Sequence, residues 1–327
     1  RSIRDAGGTR NAGGTRGASF PASGICSGTE FSAEERLGCP HTGTYEEFMY
    51  EGRLIRVYLP YGYSESTKYP VAYIKGGVNG NYSSWGDALS EVNAFMNVLD
   101  YRIDKGDLPP MVVVLIHGDN SAGYTTSPNW LQHHLGDFVE YMEENYSVST
   151  KTKDKILAGF SGGSMEIGAV PDDLIATFGL QVHASGYSIY NTPTRLSLSQ
   201  TSTLPYYMVF IGNNTDYARG ASGANVAMSY MENSSGRVYA QTLQGNFHGW
   251  YYALYYAERT FEWYLGSGTS KTSTVANGRS NSTVSNGRSS TGSSGTTGSA
   301  SSAGNHTIKQ SDMVLRKREQ DEVSVSR

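Results

Sequence analysis

Residues 111–116, Met-Val-Val-Val-Leu-Ile, contain no polar side chain. A run this short and this β-branched predicts a strand covered on both faces, and such strands sit inside parallel sheets flanked by helices. The segments around it agree. Leu54–Leu59 (LIRVYL) reads as a half-buried strand stopped by Pro60, and Val71–Lys75 (VAYIK) as a strand that runs into Gly76-Gly77. Lys155–Ala158 (KILA), Tyr206–Ile211 (YYMVFI) and Arg237–Leu243 (RVYAQTL) read as further strands. Between them, residues 131–146 place Leu131, Leu135, Phe138, Val139 and Met142 on one helical face, and residues 250–265 form a closing helix rich in Tyr and Trp. Strands alternating with helices predict the α/β class: a mostly parallel central sheet with helices on both faces and ligands at the carboxyl ends of the strands.

The ends of the chain differ from this middle. Residues 1–41 carry the repeat Ala-Gly-Gly-Thr-Arg at 6–10 and 12–16 and are expected to be a poorly ordered or loosely packed arm, at the start of a processed chain. Residues 267–304 are almost wholly Ser, Thr, Gly, Asn and Ala, the composition of a flexible linker, and 305–327 form a short charged tail. One catalytic-size domain remains, residues 42–266. Cys26 and Cys39 both lie in the arm, where a local disulfide and two free thiols are equally compatible with the spacing. A net charge of −4 without a block of like charge argues against a nucleic-acid partner. No apolar run is long enough to span a membrane. No cluster suggests a metal, and the chemistry below requires no cofactor.

The sharpest motif is Gly159-Phe160-Ser161-Gly162-Gly163, directly after the KILA strand. A turn tight enough to expose a serine hydroxyl brings backbones together, which flanking glycines allow, and the N–H of Gly162 then faces a developing oxyanion. The pattern resembles the nucleophile elbow of the α/β-hydrolase fold, whose triad runs in the chain order Ser, acid, His. The alternative is a glycine-rich turn with an idle serine. His248, between the RVYAQTL strand and the last helix, has the position of a general base. His133, His134 and His117 precede the serine, His183 comes before any good acid and reads as sheet-lining, and His306 lies in the tail. Asp216, just past the YYMVFI strand, has the position of the orienting acid; its other reading is a turn former in an Asn-rich loop. Asp172 and Asp173 read as helix N-cap residues. Gly76, Gly77 and Val78, after the VAYIK strand, are expected to supply the second oxyanion donor. Trp250, with Trp85 behind it, is the aromatic most suited to a sugar or phenolic ring, although single aromatics more often belong to a core.

With RVYLPYGY, YPVAYIKGG…SSW, LPPMVVVLIHGDN, KILAGFSGG, FIGNNTD and GNFHGWYYALYYAERTFEWYL in register, residues 42–266 resemble the feruloyl and acetyl-xylan esterase family, with its enterochelin-esterase-like and mycolyltransferase-like members. The resemblance implies an α/β-hydrolase fold, Ser161 as nucleophile, Asp216 as acid and His248 as base. Two departures stand out. Gly162 and Ser164 occupy positions where the family has Met and Gly, and the loss of the Met side chain is expected to widen the acyl pocket and loosen the turn. Lys75 stands where the family often has His, and is expected either at the pocket mouth or in solvent. The function implied is a secreted serine carboxylesterase acting on plant-wall polysaccharide, feruloyl esters first and acetyl next. The rivals are an esterase for small or siderophore-type esters, an acyltransferase, and an idle carbohydrate-binding domain. The Ser/Thr/Gly linker and N-x-S/T sequences at Asn81, Asn145, Asn213, Asn233, Asn281 and Asn305 fit secretion.

Overall fold

The structure, a computed structural model, describes residues 24–26, 30–77, 89–118, 130–185, 206–212, 237–243 and 248–266. The expected linker and charged tail, 267–304 and 305–327, lie outside the described residues.

Eight strands form one sheet: β1 (Thr44–Tyr50), β2 (Arg53–Leu59), β3 (Val71–Lys75), β4 (Val112–Ile116), β5 (Lys155–Phe160), β6 (Leu180–Ala184), β7 (Tyr206–Gly212) and β8 (Val238–Leu243). Their spatial order is β1-β2-β4-β3-β5-β6-β7-β8. β2 runs antiparallel to both β1 and β4, and every pairing from β4 to β8 is parallel. Among the described residues the α-helices are α1 (Ala33–Leu37), α2 (Leu89–Lys105), α3 (Trp130–Asn145), α4 (Gly162–Ile167), α5 (Asp172–Ile175) and α6 (Trp250–Leu265). This is the α/β-hydrolase architecture.

The apolar run at 112–116 does what its composition demands. Val113 and Leu115 join a core with α2 and α6, while Val112, Val114 and Ile116 join a second core with α3, α4 and α5. Successive side chains of a strand point to opposite faces, so an uninterrupted apolar run needs a helix layer on each side. α3 obeys its periodicity: Leu131, Leu135, Phe138, Val139 and Met142 are all buried. β1 has no comparable signal in Thr-Tyr-Glu-Glu-Phe-Met-Tyr and is mostly exposed. Its partner holds it, through a hairpin whose two turn residues, Glu51 and Gly52, both have positive φ as a type I′ turn requires. Asp172 and Asp173 are first-turn residues of α5 rather than its N-cap, which is Pro171.

Residues 1–23 and 27–29 of the arm lie outside the described residues, and its described remainder departs most from expectation. Cys26 and Phe31 are each 1% exposed and belong to the core shared with α2 and α6. The Gln241 amide pairs with both backbone groups of Cys26, accepting from its N–H at 3.1 Å and donating to its carbonyl at 2.7 Å. The Phe31 ring meets Tyr255 edge-on with centroids 5.3 Å apart, and its N–H donates to the Tyr251 hydroxyl at 2.7 Å. Ser32 and Glu35 form a capping box at the start of α1. Both cysteines are free thiols, Cys26 buried and Cys39 half-buried. Packing of the domain thus begins well before residue 42.

Glu35 also enters an ion cluster between α1, α2 and α6. It pairs with Arg102 and, at 2.7 Å, with Arg259. Glu258 at the centre has no exposed surface; one oxygen lies 3.2 Å from Arg259 and the other 3.7 Å from Arg102, without hydrogen-bond geometry. Full burial pushes its carboxyl well above the ordinary range, against the pull of Arg102. A raised acid pKa means that the folded chain holds a proton the unfolded chain releases, so this contribution to stability is present in acid and lost as pH rises through the folded pKa. Glu258→Gln should therefore raise the melting temperature more at pH 8 than at pH 5. Equal shifts at both pH values would contradict the assignment.

Candidate active site

β5 ends at Phe160, α4 begins at Gly162, and Ser161 between them has φ 51° and ψ −115°. Such a conformation costs a non-glycine residue about 1–3 kcal/mol and persists only where the surroundings enforce it. The Ser161 N–H donates to the Ala184 carbonyl at 3.0 Å, tying the turn to β6, and the Ser161 carbonyl accepts from Met165 at 3.1 Å as α4 starts. Two glycines make the turn sterically feasible. A Cβ on Gly159 would stand 2.6 Å from the Ser164 nitrogen, and one on Gly163 would overlap the Lys75 carbonyl and lie 2.6 Å from that of Gly76. Both obstacles are backbone. Gly163→Ala should cost about 1–3 kcal/mol or more in thermal denaturation, because neither neighbour can rotate away. A melting temperature equal to wild type would refute this packing.

His248 lies two residues before α6, whose N-cap is Gly249. Its Nε2 is 2.9 Å from the Ser161 Oγ. With the proton on Nδ1, the serine hydroxyl donates to Nε2, the arrangement from which a base takes a proton. The half-buried ring packs against Phe160 with centroids 4.9 Å apart, and Phe160 in turn packs on Trp250 at 5.6 Å. Trp250 is 6% exposed and its indole nitrogen is buried without a hydrogen bond. It supports the wall behind His248 and is not the open aromatic platform that its loop position implied.

Of the expected oxyanion donors, Gly162 is the first residue of α4. Gly76 is not a donor: its N–H is engaged by the Ile116 carbonyl at 2.8 Å, where the β3–β4 pairing runs on past the strand ends. Gly77 abuts the nucleophile, since a Cβ built on it would come within 2.8 Å of the Ser161 Cβ. Asp216, Val78 and Trp85 lie outside the described residues.

The family departures have internal partners. Ser164, fully buried, is 3.0 Å from the His183 Nδ1 through its Oγ, and His183 stacks on Tyr207 with centroids 4.6 Å apart. Lys75 is neither at a pocket mouth nor in solvent. It is fully buried and lies 3.2 Å from Glu166. His117 is buried with its Nδ1 3.0 Å from the Gly118 carbonyl; burial, then Lys75 and Arg53, push its pKa down. That keeps the ring neutral. Glu166 and Phe160 went unread because each has its partner distant in sequence. A lysine closing an apolar strand was the available signal. Among the described residues, no group of three His, Cys, Asp or Glu side chains is placed to hold a metal, and no helix is long and apolar enough to cross a membrane.

An eight-stranded sheet with a strained serine at a strand-to-helix turn and a histidine hydrogen-bonded to it is the arrangement of the α/β-hydrolase fold. Residues 48–166 match the model of the family described as "Putative esterase". The resemblance read from the sequence is carried by further comparisons. Endo-1,4-beta-xylanase Y of Acetivibrio thermocellus is 30% identical over 138 residues, 39% of this chain and 12% of that protein. The chain thus matches about an eighth of that relative's length. Among solved structures, a feruloyl esterase module from Clostridium thermocellum complexed with sinapinate superposes with a TM-score of 0.58 at 20% identity, over 72% of this chain and 93% of that one. A CE1 ferulic acid esterase from the anaerobic fungus Anaeromyces mucronatus gives 0.53 at 17%, over 73% and 97%. At these identities the superpositions establish the fold.

Proposed function

We propose that the chain is a secreted serine carboxylesterase that hydrolyses acyl groups ester-linked to plant-wall polysaccharide, with feruloyl as the preferred acyl group. The observation that carries this reading is the 2.9 Å contact between the His248 Nε2 and the Ser161 Oγ at a strained strand-to-helix turn. The xylanase relative and the two feruloyl esterase structures point to the polysaccharide and the acyl group.

In this mechanism the Ser161 Oγ attacks the ester carbonyl while His248 takes its proton. Negative charge collects on the carbonyl oxygen, where the N–H of Gly162 and a donor from the Gly77–Val78 loop stabilise it. His248 returns the proton to the departing sugar oxygen, leaving an acyl-serine. Water then enters, gives its proton to His248 and attacks the acyl carbon, and the acid leaves as the serine recovers its proton. Asp216 orients the imidazole and stabilises its charged form. None of these steps requires a metal or cofactor. The substrate test is a panel on the purified chain. Methyl ferulate should give a kcat/KM well above that of short acetyl esters and acetylated xylan; the reverse ranking would assign the enzyme to acetyl groups.

A further inference from the structure

Lys75 ends a strand whose other residues, Val71, Ala72, Tyr73 and Ile74, are apolar and buried, and it is itself fully buried. A buried ammonium is costly to desolvate and persists where partners hold it. Two of its partners frame the nucleophile. Lys75 Nζ lies 3.2 Å from the Glu166 Oε1 and donates to the Gly76 carbonyl at 3.3 Å. The second Glu166 oxygen accepts from the Leu131 N–H at 3.2 Å. One ion pair therefore links the loop after β3, the helix that starts beside Ser161, and the first turn of α3.

The peptide joining Gly76 to Gly77 is the point of leverage. It is trans, so the Gly76 carbonyl and the Gly77 N–H point to opposite sides. The carbonyl is turned towards Lys75 and towards α4, where a Cβ on Gly163 would stand 2.6 Å from it. The Gly77 N–H therefore points to the side opposite the Gly76 carbonyl, on a residue that abuts Ser161. Gly76 itself cannot donate, because Ile116 occupies its N–H.

We infer that Lys75 and Glu166 are positioning residues: their buried ion pair fixes the Gly76–Gly77 peptide so that the Gly77 N–H serves as the second oxyanion donor. The inference rests on the serine-esterase reading and deepens it. The ammonium touches no substrate and acts through a backbone carbonyl. Among the described residues its charged and titratable surroundings include Glu166 on α4 and His117 after β4, whose pKa Lys75 helps to lower.

The test uses the full chain with methyl ferulate. Lys75→Met combined with Glu166→Gln removes both charges at similar volume, so no unpaired ion is buried. A folded double variant should lose roughly 10- to 100-fold in kcat, with KM within about threefold of wild type, because a misdirected donor weakens the transition state more than the ground state. Fluorophosphonate should still label Ser161. Wild-type kcat in the folded double variant overturns the inference. If that variant does not fold, Glu166→Gln alone decides. Without its counter-charge the amine gives up its proton more readily, so kcat should fall with rising pH over a range where wild type stays level. An unchanged pH profile in this variant overturns the inference equally. Absence of both ester hydrolysis and labelling in the wild-type chain would overturn the serine-esterase reading itself, a result distinct from either outcome above.

Discussion

His248→Ala should lower kcat on any accepted ester by roughly 10⁴-fold or more while leaving the fold intact. The size follows from the role proposed for the ring. A serine hydroxyl is a poor nucleophile at neutral pH, and the Nε2 at 2.9 Å is the described group placed to take its proton. The imidazole is half-buried and packs on Phe160 at the edge of the core. The melting temperature should therefore move little while turnover collapses. Asp216→Asn, chosen from the sequence alone, should lose roughly 10⁴-fold for a related reason: an amide can hold the imidazole in the wrong tautomer. Steady-state kinetics on methyl ferulate, with thermal denaturation beside them, check both. Near-wild-type kcat in either variant removes that residue from the triad.

A chain truncated to begin at residue 42 should lose most of its stability. The boundary suggested by composition would discard Cys26 and Phe31, two side chains at 1% exposure in the larger core, and strip the cover from Tyr251, Tyr255 and Gln241. Removing Phe31 alone forfeits about 1.5–3 kcal/mol of burial, and the surfaces it covers lose a similar amount. Glu35 goes with it, leaving Arg102 and Arg259 to the remaining acids of the cluster. Against a total of about 5–15 kcal/mol for a typical domain, that loss is severe. Thermal melts of this truncation against a chain that begins at Gly24, which keeps these contacts, measure the effect. Equal melting temperatures would show that the arm contributes nothing.

The arm also shows where sequence reading stops. β4, β5 and the turn at Ser161 were legible because their signals are local: an apolar run needs cover on both faces, and a serine between glycines after a strand needs a sharp bend. Gly24–Cys26 and Phe31–Leu37 carry no periodicity, and their burial depends on Gln241, Tyr251 and Arg259, more than two hundred positions away. β6 was hidden similarly. Gln181 and His183 break its apolar pattern, and His183 is accommodated by Ser164 and Tyr207 from other elements. Lys75 read as a solvent-facing or pocket-mouth charge because its counter-ion lies on α4. Gly76 and Gly77 looked interchangeable as donors; backbone pairing to Ile116 separates them, and pairing of that kind is invisible in a Gly-Gly dipeptide. The serine and histidine, by contrast, were named from order and position and stand within a hydrogen bond of each other.

The central claim is that the Ser161 hydroxyl is the activated nucleophile. Fluorophosphonate labelling of the full chain, followed by mass-spectrometric peptide mapping, tests it most directly. The account predicts one adduct per chain, on Ser161, formed in step with loss of esterase activity and absent from Ser161→Ala. Esterase activity that survives in Ser161→Ala, or inactivation that maps to another residue, would contradict it.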